Sequence, residues 1–335
     1  MAQLTPEMVH IDQPLTNLTI AYLQSTTGFV ADRVFPRVPV MKKTDKFYVY
    51  DRENFNRTGN VQQRAPRTKA PRVGMTLSQD SYTTSVFSLS TDFDFETLAN
   101  EDAALNIRQA GVEMLTMQLL IDKEIKWADA YFAASIWGTE YTGVASTPSS
   151  GEVYQWSDYT NSTPIQDVTT AMRAVQLKSG GFKPNVMVMG KEVRDVLIHH
   201  PDFIDRINGG ATAINPALIT DQMIAQIFGV EEVMVMEAVK NTAKEGLTES
   251  NSFIGGKQVL LVYRPQSPGL MVPAAGYTFT WAELDNASGF GIDVRSYTGD
   301  FLRVEGIAEM LEANMAYDHK VIGDDLGCFF ASIVA

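Results

Sequence analysis

The chain has 335 residues, 45% hydrophobic and 20% charged, a balance that suits a globular protein able to bury a core in two domains or one elongated one. Its formal net charge of -13 argues against a dedicated duplex-DNA binder, which needs a basic face. One cysteine, Cys328, leaves no disulfide framework or cysteine zinc site within a chain; residues 1–32 lack the Lys or Arg of a secretory leader, and no apolar run reaches membrane length, so a cytoplasm-like compartment is expected.

In chain order, residues 1–45 mix Pro6, Pro14, Pro36 and Pro39 with short apolar clusters, which predicts an extended arm that lies on something else. Residues 33–72 hold 11 Lys and Arg against Asp45, Asp51 and Glu53, a local charge of +8 that leaves -21 for the remainder. A basic arm on an acidic body favours one copy reaching onto the next. Lys46, Tyr48 and Tyr50 alternate with Phe47 and Val49, and residues 86–95 form a second strand-like run. Between them lie Thr58, Gly59, Asn60, Pro66, Pro71 and Gly74. The pattern predicts a long hairpin with a basic tip, reaching on the order of 50 Å if each arm holds roughly 15 residues. A lone hairpin of that size is marginal in water, so a neighbouring molecule should support it.

Residues 96–137 contain no proline and only Gly111 as a breaker, which predicts a helix of about 35 residues spanning on the order of 50 Å. Asn100, Glu101 and Asp102 suit its start. Leu115 and Leu119, with Ile121, Ile125, Ala128 and Phe132, keep helical spacing and read as core. Residues 138–164 read as a Gly, Ser and Thr loop that marks a boundary. Beyond it, helices are expected over 165–178, 191–200 and 219–228. Strands are expected at 185–189 (NVMVM), 233–236 and 259–263 (VLLVY), then a hairpin of 277–281 with 291–297. Strand-like alternation over 301–317 brings the end of the chain back beside the long helix. The fold class is α+β with a discontinuous first domain.

No constellation supports catalysis, a cofactor or a metal. His199 and His200 are adjacent, point to different sides of a helix and precede Pro201; they read as a helix end stopped by proline. His10 and His319 are isolated. Gly255, Gly256 and Lys257 resemble a phosphate loop, but the places that need glycine and Ser or Thr hold Asn251 and Gln258. Residues 288–291 (SGFG) lack the third glycine of a dinucleotide site. An RNA-binding reading rests on Phe47, Tyr48, Tyr50 and Phe55 among Lys42, Lys43, Lys46, Arg52 and Arg57. The strand spacing of the aromatics and the acids among them suit a structural hairpin better.

An ordered set of segments resembles the tailed-phage major capsid proteins, whose fold is named after phage Hong Kong 97. It comprises VFPRVPV at 34–40, Lys42, KFYVYDR at 46–52 and Arg57, then the long helix. GFKPNVMVM at 181–189 follows, with Val196, Leu197, His200 and Pro201, then IFGV at 227–230 and YTFTW at 277–281. The resemblance implies an N-arm (1–45), an extended β-hairpin loop (46–88), a peripheral domain with a spine helix (89–164, resumed at 291–335) and an axial α/β domain (165–290). It implies a self-assembling shell of hexamers and pentamers in an icosahedral virion, built in the host bacterial cytoplasm around double-stranded DNA that is not bound by sequence. A portal, a separate scaffold protein and a decoration protein are the implied partners, with no membrane. Some members crosslink a lysine to a neighbour's asparagine; Lys69 lies near the loop tip, but no partner asparagine or catalytic carboxylate can be named. The inter-subunit contacts are expected at Arg37, Lys42, Lys43, Arg57, Arg64, Arg67, Lys69 and Arg72. An encapsulin-like cellular compartment is the same-fold alternative.

Overall fold

The structure is a computed structural model that describes residues 24–50, 53–100, 106–207, 219–268, 272–283, 292–298 and 307–335. One six-stranded sheet runs in the order Glu152–Tyr154, Thr139–Val144, Gly327–Ala331, Val259–Val262, Val186–Gly190, Glu232–Met236. Its inner strands are apolar on both faces, as strands covered twice must be. Met187, Met189, Leu261, Cys328 and Phe330 face the helices Pro164–Ser179, Lys191–Ile198, Pro201–Ile207 and Asp221–Phe228. The alternate set, Val186, Val188, Leu260, Val262 and Phe329, meets Trp127, Phe132 and Trp137 together with Val30, Val34 and Phe35 of the N-terminal segment. Cys328 is buried, and burial pushes its thiol up, so it acts as a small hydrophobe.

The second sheet is organised by the 15-residue strand Ile307–Val321. Gly276–Trp281 and Ile292–Tyr297 pair with successive stretches of one of its edges, and Ser85–Asp94 pairs along the other. Arg37–Val40 adds a parallel strand beyond Gly276–Trp281. Leu311, Ala313, Met315 and Tyr317 turn inward onto Leu115, Leu119 and Leu120 of the long helix, so the end of the chain does return beside that helix.

Several expectations need correction. The helix is Ile107–Tyr131, 25 residues and about 37 Å, preceded by the separate helix Phe95–Ala99. Asn106 caps the longer helix by accepting from Gln109 N, while Asn100 ends the shorter one. Glu101 and Asp102 lie outside the described residues. Gly111 does not break the helix. A Cβ there would sit 2.8 Å from the Phe93 ring, so glycine admits the strand Ser85–Asp94 against the helix. The expected loop at 138–164 contains two strands, and a Cβ on Gly143 would meet Ser332 O at 2.3 Å. Gly276–Trp281 and Ile292–Tyr297 do not form a hairpin with each other.

The hairpin expectation is half right. Thr44–Tyr50 pairs in antiparallel register with Leu77–Thr83, seven positions from Thr44↔Thr83 to Tyr50↔Leu77. The run at 86–95 is not its return arm; that run entered the second sheet because its apolar alternation finds a core there. The paired part is about 23 Å long, shorter than expected.

Candidate inter-subunit surface

The root of the hairpin is tied to the second sheet. Tyr82 stacks on Phe279 at 4.6 Å between ring centroids, and Phe47 approaches the same ring at 5.6 Å. Asp318 accepts from Thr83 N at 2.9 Å, and Lys320 pairs with Asp80 at 3.1 Å. Burial raises the Asp318 carboxyl, with the Thr83 N–H opposing. Thr84 donates its N–H and hydroxyl to Lys43 O. The flanking N-terminal segment is fixed as firmly. Glu124 accepts from Val30 N and Ala31 N at 2.9 and 3.0 Å, and Lys123 pairs with Asp32 at 2.6 Å. Glu232 receives both Arg33 and Arg264. Burial opposes the Glu232 charge, but the two guanidiniums prevail and hold the carboxyl below its usual range.

Past the paired strands, Asn56 still lies against Gly180, where a Cβ would sit 2.1 Å from its Nδ2. Residues 57–76 form neither helix nor strand, and residues 61–79 are all exposed. A turn at Ala65, Pro66, Arg67 and Thr68 closes through Thr68 N to Ala65 O at 3.2 Å. Arg67 takes φ +66° at its third position, as a type II turn requires. Val61 is 95% exposed, Met75 68% and Tyr48 61%, with Val73 and Leu77 also outward. From Arg57 to Gln79 there are five cations and no acid. An apolar, uniformly cationic protrusion without a core of its own is a surface made to be covered.

The expected contact residues divide accordingly. Arg57, Arg64, Arg67, Lys69 and Arg72 share the exposed tip. Lys42 and Lys43 sit at the root, where Lys42 pairs with Asp45 at 3.0 Å; the Lys46 N–H and then Lys42 hold Asp45 below the usual carboxylate range. Arg37 is half-buried in the parallel strand. The tip's apolar residues and the Lys123–Asp32 and Glu124 anchors were not anticipated. The signal for the anchors was present: Lys123 and Glu124 fall at core spacing between Leu119, Leu120 and Trp127, Ala128.

The candidates for chemistry resolve into packing. Helix Lys191–Ile198 ends before the histidines, and Pro201 opens the next helix rather than merely stopping the first. Ser162 Oγ lies 3.0 Å from His200 Nε2, and Asp202 is near Nδ1, a suggestion of a nucleophilic triad. Its protons run the wrong way. His200 Nδ1 accepts from Asp202 N at 3.2 Å, so Nε2 carries the hydrogen, and Ser162 gives its own to Asp158 O at 2.6 Å. Burial lowers the His200 pKa, against Asp202. Gly256 O would lie 1.8 Å from a Cβ on Gly190, and Lys257 reaches Ala335 O, which accounts for the Gly-Gly-Lys sequence by close packing. Phe47 is committed to Phe279 while Tyr48 faces out, so these aromatics form no single stacking platform. Among the described residues no cluster of three or more His, Cys, Asp or Glu could hold a metal, and no helix is long and apolar enough to cross a membrane. His10 and residues 288–291 lie outside the described residues.

No family model matches the chain. It is 26% identical over 328 residues to the major capsid protein of Pseudomonas phage JBD67, covering 97% of each. It is also 26% identical over 276 residues to that of Burkholderia phage BcepMu, covering 80% of this chain and 82% of that one. A phage-related protein of Bordetella bronchiseptica RB50 superposes with a TM-score of 0.63 at 19% identity, over 92% of this chain and 93% of that one. The capsid of Cyanophage P-SCSP1u gives 0.60 at 10% identity, over 94% and 90%. The SrpI encapsulin of Synechococcus elongatus PCC 7942 gives 0.55 at 12%, over 96% and 93%. The fold is therefore α+β and related to the Hong Kong 97-type capsid architecture. In sequence the chain is similar to phage major capsid proteins over 97% of one and 82% of the other, and this likeness supports a structural, self-assembling role in a viral capsid.

Proposed function

We propose that the hairpin is the extended loop by which one subunit clasps the next, and that residues 1–45 act with it as an N-arm. Residues 89–164 and 291–335 serve as the peripheral domain with Ile107–Tyr131 as spine, and residues 165–290 as the axial domain around which hexamers and pentamers form. The shell is icosahedral and encloses double-stranded DNA without sequence-specific binding. Assembly takes place in the host bacterial cytoplasm on a separate scaffold protein, with a portal at one vertex and room for a decoration protein. The observation that carries this reading is the tip: exposed apolar residues and five cations with no acid, on a chain whose remainder is strongly acidic. Heterologous contacts that close into rings explain why one polypeptide carries such a protrusion, and the charge contrast favours encounter and register between copies. Arg37, Lys42 and Lys43 contribute at the base of the clasp and the five tip cations at its end.

The test replaces residues 58–75 with a short turn and images the purified protein by negative-stain electron microscopy. Folded subunits with unaltered circular dichroism and no shells are expected; shells in normal yield would overturn the clasp. An encapsulin shares the fold, and the full-length likeness to phage proteins favours the virion. Particles carrying a protein cargo and no genome during phage growth would reverse that preference.

A further inference from the structure

Three elements meet in a buried polar seam behind the N-terminal segment. Lys123 of the long helix pairs with Asp32, its ammonium lying 5.1 Å from the centre of the Tyr317 ring. Tyr317 and His319, two residues apart on the strand Ile307–Val321, face the same way with ring centroids 4.8 Å apart. Both are more than nine-tenths buried, at 4% and 8% exposure. Among the described residues, Tyr317 Oη and His319 Nε2 nevertheless have no hydrogen-bond partner, and the Asp32 Oδ1 beside them has only its ion pair. Groups of this kind are rarely left unsatisfied in a native interior.

The proton inventory fixes what each atom asks for. Thr278 Oγ1 lies 2.9 Å from His319 Nδ1 and 3.1 Å from Phe35 O, and the carbonyl can only accept. The threonine's single hydrogen therefore goes to Phe35 O, and His319 Nδ1 donates to the hydroxyl. His319 Nε2 is then a bare acceptor in the interior. Burial, with the Lys123 charge adding, lowers the imidazole pKa to about 3, so the ring stays neutral. Lys123 supplies only donors, and Tyr317 can do either. A chloride would face the Asp32 carboxylate and the Nε2 lone pair. A metal cation would face the Lys123 ammonium. A species that both donates and accepts suits the mixed set.

We infer that a single structural water is bound in this seam, accepting from Lys123 Nζ, donating to His319 Nε2 and exchanging a hydrogen bond with Tyr317 Oη. It joins the N-terminal segment, the long helix and the long C-terminal strand at one point. A buried water with three partners is an ordinary part of a folded protein and costly to remove.

A density map of the assembled particle at about 2 Å tests it. Spherical density is expected within roughly 2.7–3.2 Å of all three atoms. A direct contact between Lys123 Nζ and His319 Nε2, or an empty seam, would overturn the inference. Two variants sharpen it: His319→Leu removes the acceptor and should empty the position, whereas Tyr317→Phe leaves two partners and should keep the density. If His319→Leu does not assemble, the wild-type and Tyr317→Phe maps decide alone, and loss of density in Tyr317→Phe particles counts against the bridge.

Discussion

The root and the tip of the hairpin are ends of one strand pair, yet they are held in opposite ways. At the root, Tyr82, Phe47 and Phe279 stack, and Asp318 and Lys320 of a neighbouring strand fasten Thr83 and Asp80. At the tip, Val61 and Met75 face water, and the stretch from Arg57 to Gln79 holds five cations and no acid of its own. The difference teaches that one chain can carry a self-sufficient body and an appendage whose burial is left to another molecule. The body should thus answer to mutation by unfolding, and the tip by failing to assemble.

The largest effect on the body is expected at Phe35, fully buried against Trp127 at 5.6 Å. Phe35→Ala should cost about 3–5 kcal/mol in the denaturation of unassembled subunits. Next comes Asp32→Ala, which leaves Lys123 charged and buried; a loss of about 3 kcal/mol is expected, tempered by the partial exposure of Asp32. If either substitution changed only particle yield, the N-terminal segment would belong with the tip.

Glu124 provides a pH test of the same contrast. Its burial outweighs the two arm N–H groups and raises the carboxyl from 4.5 to about 7. The folded subunit therefore holds this proton more tightly than the unfolded chain. The contribution is fully present below pH about 4.5, is lost as pH rises through about 7, and has a ceiling of about 3 kcal/mol. Melting across that window should show the decline in wild type and a flatter profile in Glu124→Gln. A decline that persisted unchanged in the variant would assign it to other groups.

Reversing Arg64, Arg67, Lys69 and Arg72 to Glu should leave subunit stability within about 0.5 kcal/mol, since these are surface sites. Assembly should fall sharply at low salt, with the gap from wild type narrowing as salt screens both. Light scattering across a salt series reads it, and equal yields at low salt would remove charge from the account of the clasp.

Much of this division was legible in the sequence because it is written in charge and in period. The basic run, the glycines and prolines of the tip and the apolar strands NVMVM and VLLVY all sit where their composition put them. The return arm is hard to place from sequence because LSQDSYT is polar apart from Leu77 and Tyr82, whereas the stronger alternation at 86–95 answers to the long helix. Thr139–Val144 read as loop because its threonines and glycine look like turn residues; its place is set by Gly327–Ala331, nearly two hundred positions away. No proline marks the break between Phe95–Ala99 and Ile107–Tyr131, so the composition of 96–137 does not show where the long helix starts. The buried water seam depends on which atoms remain unpaired after folding, which no spacing of residues reveals.

The most direct test of the central claim is hydrogen–deuterium exchange over residues 57–76, measured in free subunits and in assembled shells. Fast exchange is expected throughout this segment in the subunit and marked protection in the shell, while the strand Val259–Val262 is protected in both. Equally fast exchange of the tip in the shell would contradict it.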